Sequence, residues 1–140
     1  MKQLLVMVLC AALLIGCNTN RTLSYEEVTM KDLDKGDQVF YQHAQAENGV
    51  YLFYDTSDDK LVIYFNTSHE NQEDYAVDFT NFDVESHGDT LHILYDKNQD
   101  EGESKTFQEQ QFYEIYLDKE YETIELFENG DMAAFTSIYS

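Results

Sequence analysis

From Gly49 onward the apolar positions fall into short aromatic and β-branched runs broken by charged turns. Val50 to Tyr54 and Leu61 to Phe65 are two such runs, separated by Asp55-Thr56-Ser57-Asp58-Asp59-Lys60. In the second run Leu61, Ile63 and Phe65 take one face, and Val62 and Tyr64 the other. Apolar residues on both faces predict central strands, or one core face and one covered face. The runs are too short and too rich in β-formers to be buried helices.

Tyr75 to Glu85 and Thr90 to Tyr95 predict a second hairpin around Ser86-His87-Gly88-Asp89. Along its first arm Tyr75, Val77 and Phe79 share one parity, whereas Phe82 and Val84 share the other. A parity shift inside one strand predicts a β-bulge near Thr80-Asn81. A third hairpin is expected to join Phe112–Leu117 to Glu122–Phe127 through Asp118-Lys119-Glu120-Tyr121. A fourth follows at Glu128-Asn129-Gly130-Asp131, because both central residues of a type I′ turn need φ > 0 and Asn-Gly supplies them. The last strand is expected from about Met132 to Tyr139.

Ahead of Gly49 the pattern is weaker. Ser24-Tyr25-Glu26-Glu27 fits a capping box and predicts a short helix to about Leu33, with a strand through Val28 and Met30 as the competing reading. Asp34-Lys35-Gly36-Asp37 would end that segment, and Val39-Phe40-Tyr41 would follow as a short strand. About eight short strands with turns every 8 to 12 residues predict an all-β domain. Its expected form is an antiparallel β-sandwich or a partly open barrel, with the N-terminal helix packed on one end.

The first twenty residues follow another rule. Lys2 precedes an apolar run of 12 residues from Leu4 to Ile15, followed by the small Gly16 and then Cys17. This is the layout of a secretory signal. The run falls short of the roughly 20 residues needed to span a hydrocarbon core. Leu14-Ile15-Gly16-Cys17 resembles the lipobox of bacterial lipoproteins. The resemblance covers only this N-terminal stretch. It implies a diacylglycerol thioether on Cys17, cleavage just before it, and residence on the extracytoplasmic face of the cell membrane. The chain then divides into a signal peptide (1–16), a tether (17–23) and an acidic β-domain (24–140). Two acyl chains on one residue meet the two-chain condition for stable anchoring, at about 0.8 kcal/mol per buried CH₂. Cys10 leaves with the signal, so the resemblance implies a mature chain with no free thiol and no disulfide.

Removing residues 1–16 from the 140 leaves 124 and takes Lys2 away, moving the formal charge from −20 to −21. All 11 Tyr and 9 Phe remain, enough aromatic mass to oppose the disorder that so acidic a composition would otherwise favour. Seven basic residues against 28 acidic ones make nucleic acid and anionic headgroups poor partners. Solubility and repulsion from anionic envelope polymers account for the charge most simply, and a basic partner or cation atmosphere is the sharper reading.

Motifs for chemistry are absent from the local sequence. The 6 glycines are too scattered for a nucleophile elbow, a P-loop or a dinucleotide fingerprint. His69-Glu70 begins like a zinc-protease helix, but Glu73 stands where the second histidine belongs. His43, His69, His87 and His92 read as chance placements, with His92 an outward-facing strand residue. Tyr51, Tyr54, Tyr64, Tyr113 and Tyr116 read as half-buried sheet residues, with a stacking face for sugar or peptide as the alternative. Asn66-Thr67-Ser68 matches a glycosylation pattern that is accidental in a bacterial lipoprotein. Asp96, Asn98 and Asp100 alternate as calcium ligands do, yet Glu101 and Phe107 occupy positions where that loop needs Gly and a bidentate Glu.

The sequence therefore assigns no catalytic, cofactor or metal residue, and names Cys17 alone as a modified site. The expected function is a lipid-anchored, non-enzymatic binding or accessory module of the envelope. Its partners are the membrane, through Cys17, and an envelope protein captured by strand addition. A carboxylate-based envelope hydrolase and a weakly cation-responsive module are the alternatives.

Overall fold

The two apolar faces of the Leu61–Phe65 run are both covered, and by different layers. The computed structural model describes residues 21–55, 59–67, 76–100 and 110–140. Among these the order is β1 (Ser24–Val28), a 3₁₀ turn (Met30–Asp32), α1 (Lys35–Ala44), β2 (Gly49–Asp55), β3 (Lys60–Asn66), β4 (Ala76–His87), β5 (Thr90–Asp100), β6 (Gln110–Tyr116), β7 (Thr123–Glu128), β8 (Asp131–Ala133) and β9 (Ser137–Tyr139). One sheet has the order β1-β6-β3-β2-β9 and the other β4-β5-β7-β8. The fold is all-β and sandwich-like, and neither sheet closes into a barrel.

The face bearing Leu61, Ile63 and Phe65 packs on the second sheet. There it meets Val77, Phe79, Phe82, Leu91, Ile93, Tyr95 and Leu126, with Val50, Leu52 and Ile115 from its own sheet. The face bearing Val62 and Tyr64 packs on Leu33, Phe40, Tyr41 and Ala44, with Tyr51 and Phe112 beside them. Burying both faces makes β3 a central strand, and every residue from Lys60 to Asn66 is buried.

The N-terminal expectations exchange places. Ser24–Val28, expected as a helix, is an edge strand antiparallel to β6, with Ser24 opposite Tyr116 and Val28 opposite Phe112. Its capping-box spacing is a weak local preference, outweighed by the ladder and by Tyr25, which packs edge-on against Phe82. The segment expected to end that helix and begin a strand is α1 itself. Asp34 caps it by accepting a hydrogen bond from the Asp37 N–H at 3.0 Å. Asp37, Phe40, Tyr41 and Ala44 recur at i, i+3, i+4 and i+7 and form its buried stripe. A carboxylate in that stripe hid the helical period. The helix lies on a sheet face, not at one end of the sandwich.

The β2–β3 and β4–β5 hairpins form as expected, as does the bulge. Thr80 pairs with Asp96 and Asp83 with Leu94, so three residues of β4 advance against two of β5. Asn81, inside the bulge, takes φ 54°. The Asn129-Gly130 turn joins β7 to β8 with φ 52° and 84°, both positive as type I′ requires.

The third hairpin does not form. β6 pairs with β1 and β3 in the first sheet, whereas β7 lies parallel to β5 in the second. The link 118–122 crosses between sheets, with the Leu117 N–H bonded to the Asp59 carbonyl and the Glu122 N–H to the Asp89 carbonyl. Nor is 132–139 one strand. Its first part is β8, and its last part is β9, which crosses back to run parallel to β2. Asp96, Asn98 and Asp100, expected in a loop, continue β5.

Candidate functional site

The bulge decides which residues reach the outer face of the second sheet. Before it, Val77 and Phe79 point into the core; after it, Phe82 and Val84 do. One inserted residue thus turns Glu85 and His87 outward, where unbroken alternation would have aimed them inward. On β5, Leu91 and Ile93 face the core and His92 faces out, directly opposite Glu85 in the ladder. On β7, Ile124 and Leu126 face in, and Glu125 stands beside His92.

Four donors from three adjacent strands meet there. His87 Nε2 lies 2.9 Å from Glu85 Oε2, and His92 Nε2 lies 3.0 Å from Glu125 Oε2. The two imidazoles stack at 4.2 Å between centroids, and the His92 ring leans on Phe127 at 4.8 Å. One donor atom each from Glu85, His87 and His92 falls within 4.8 Å of the other two. Neither histidine's sequence neighbours disclose this cluster, because it needs the bulge together with the β5–β7 pairing.

A second polar group is buried on the opposite side of the molecule. Lys60 Nζ lies 3.0 Å from Asp37 Oδ2, 3.5 Å from Asp34 Oδ2 and 3.8 Å from Glu114 Oε1. Desolvation raises the Asp37 carboxyl to about 6, against the opposing pull of the Lys60 hydrogen bond and charge. Burial by itself would lower Lys60, but the hydrogen bond and charge of Asp37, with Glu114 and Asp34 behind it, carry the ammonium above its ordinary value. Asp34 is held below the usual carboxylate range, chiefly by the backbone N–H of Asp37. The Tyr116 hydroxyl stands between Glu114 and Glu26, at 2.6 and 2.8 Å, and its single proton serves one carboxylate at a time. Asp37 is wholly inaccessible. The group fastens α1 to β3 and β6.

The remaining candidates are placed as follows. Tyr51 and Tyr64 are buried under α1, and Tyr113 stacks on Phe82 at 3.9 Å, so these are sheet residues. Burial pushes the Tyr113 hydroxyl up to about 12. Asn66 is buried and donates to the carbonyls of Gln45 and Glu47, which gives it a structural task. Asp96 accepts from Asn81 at 2.9 Å, and Asn98 donates to Thr80 at 2.8 Å. Both side chains are thus engaged across the bulge. His43 sits exposed in the last turn of α1. Cys17, His69, Tyr75, Ser68 and residues 101–109 lie outside the described residues.

Two concavities lie among the described residues. A cleft of about 200 Å³ opens between the sheets beside Gly49, Asn66, Tyr95, Lys97, Glu128 and Thr136. A groove of about 440 Å³ runs where β1 ends against the start of β6, lined by Glu27, Val28, Thr29, Met30, Gln111 and Phe112. Only the second falls within the roughly 300–1,000 Å³ of ordinary ligand sites. No helix among the described residues is long and apolar enough to cross a membrane. The chain matches no protein family, no characterised protein and no solved structure.

Proposed function

We propose that this chain is a lipid-anchored binding module of the bacterial envelope, held on the extracytoplasmic face through Cys17 and working without an active site of its own. Its partner is an extended, basic segment of another envelope protein, added as a strand to β1. The supporting observation is β1 itself. It is the edge of its sheet, with Ser24 to Glu27 exposed, and its last residues run into the 440 Å³ groove. An added strand would complete the free edge by main-chain hydrogen bonds. Glu26 and Glu27 would meet its cations, and exposed Met30 with Phe112 would receive an apolar side chain.

The anchor places that edge near the bilayer. Arg21 pairs with Asp59 and Leu23 packs on the inter-sheet core. Arg21 follows Cys17 by four positions, a reach of at most about 14 Å. A partner bound on β1 is therefore recruited at the membrane surface.

Detergent-phase partitioning of the full chain tests the anchor. Wild type is expected in the detergent phase after cleavage, and Cys17→Ser as uncleaved precursor. Cleaved Cys17→Ser retained on the membrane would overturn the lipoprotein reading. A photocrosslinker at Glu26 in native membranes tests the edge. One stoichiometric adduct, weakened by Glu27→Lys, supports strand addition; no adduct overturns it.

A further inference from the structure

The outer face of the second sheet carries more than two ordinary histidine–glutamate contacts. We propose that Glu85, His87 and His92 form a binding site for one divalent transition-metal ion of the zinc class, with Glu125 orienting His92. The proposal does not depend on the lipid anchor or on the partner of β1.

The donor set argues for the ion. Two imidazoles with one carboxylate are ligands that zinc, copper and nickel take, whereas calcium and magnesium ask for oxygen alone. Zinc–nitrogen bonds of about 2.0–2.1 Å and zinc–oxygen bonds of about 2.0–2.2 Å put tetrahedral ligand atoms roughly 3.3–3.5 Å apart. His87 Nε2 and Glu85 Oε2 already stand at 2.9 Å, with their common proton in the place a cation would take. The third donor lies within 4.8 Å of both. The Glu85 and His87 side chains are about half exposed, at 48% and 53%, so they can turn the remaining ångström without moving backbone.

Glu125 supplies the supporting contact. A neutral His92 that donates Nε2–H to Glu125, at 3.0 Å, keeps its lone pair on Nδ1 for a metal. Carboxylates that fix a ligand histidine in this way are the usual outer contacts of zinc sites. The Phe127 ring against His92 limits the imidazole's rotation. Three strands hold the constellation, and the ladder fixes two of the donors, Glu85 and His92, directly opposite each other. A formal charge of −20 concentrates cations around the chain, and this patch couples that attraction to imidazole. A three-ligand site open to solvent leaves a position for water or for a ligand from a partner.

The test is calorimetric titration of the metal-stripped full chain, in detergent, with zinc chloride. The expected result is one equivalent bound at micromolar concentration, at least tenfold weaker in His87→Gln and in His92→Gln. Glu125→Gln should weaken it by about 10-fold or more, and His43→Gln should leave it unchanged. Metal-free melting curves show whether each variant folds. His87, being half exposed, decides the matter if His92→Gln does not fold. No saturable zinc binding, binding unchanged in His87→Gln, or displacement of zinc by equimolar calcium would each overturn the site.

Discussion

Lys60 Nζ lies 3.0 Å from Asp37 Oδ2, and neither group faces solvent: Asp37 is 0% and Lys60 7% exposed. This contact joins the first turn of α1 to the start of β3 through two residues 23 positions apart in sequence. A lone buried charge would be costly, so the pair specifies where the helix sits. Among the described residues Asp37 Oδ1 has no hydrogen-bond partner, which leaves Lys60 as the main compensation for that carboxylate.

Replacing Lys60 by Met should therefore destabilise the domain by about 3 kcal/mol or more, the usual loss when one partner of a buried pair is removed. The urea midpoint measures it. Asp37→Asn should cost less, because an amide oxygen still accepts from Lys60. Equal midpoints for wild type and Lys60→Met would show that water reaches the pair.

The same carboxyl gives a pH dependence of defined sign. Asp37 titrates near 6 in the fold against an ordinary value of 3.8. Between these values the folded chain keeps a proton that the unfolded chain has released. Its contribution is full below about pH 4 and is lost as the pH rises through 6. Asp34, held low in the fold, acts oppositely and contributes above its ordinary value. The stability difference between wild type and Asp37→Asn should thus narrow from pH 4 to pH 6. Urea unfolding across that range checks it, and a constant difference would mean that Asp37 titrates alike in the folded and unfolded chain.

Gly49→Ala should destabilise through a collision. An added Cβ would stand 1.9 Å from Thr136 Oγ1 and 2.8 Å from its Cβ. Thr136 holds the segment leading to β9, accepting from the Val50 N–H at 3.2 Å and donating its own N–H to the Val50 carbonyl at 2.7 Å. A loss of about 1–3 kcal/mol is expected, as for other forced overpacking. The melting temperature reports it, and loss of β9 protection in hydrogen exchange would locate it.

Gly130→Val should also destabilise, but through backbone strain alone. Open space surrounds the position, yet its φ of 84° is one that a β-branched residue resists. More than about 1 kcal/mol is expected, above the average point substitution. Thermal melts of Gly130→Val and Gly130→Asn decide it, since Asn tolerates positive φ and should lose less.

Phe40→Ala should loosen α1 from its sheet. The Phe40 ring stacks on Phe53 at 5.2 Å and meets Tyr139 edge-on at 5.2 Å. About 3–5 kcal/mol is expected for so large a truncation in a core. Chemical denaturation checks it, and a loss below about 1 kcal/mol would mean that the helix adds little to the fold.

Local rules carried much of this architecture. The alternation at Leu61–Phe65 required two covered faces, the parity shift in 77–84 required a bulge, and Asn129-Gly130 required a turn with positive φ. Each depends on residues adjacent in sequence, where side-chain period and backbone sterics act directly. The sequence by itself also determined the acidic surface and the lipobox resemblance at Cys17. Tertiary structure decided what covers each face and which strands meet. A charged Asp37 on the buried stripe of α1 is stable only because Lys60 arrives from β3, so no local period disclosed that helix. The link 118–122 suits a hairpin or a crossing equally, and it crosses because β6 and β7 find their ladders in different sheets. The meeting of His87, His92 and Glu125 belongs to the same class: the bulge sets the face, but the parallel β5–β7 pairing, a long-range contact, brings the third strand beside it.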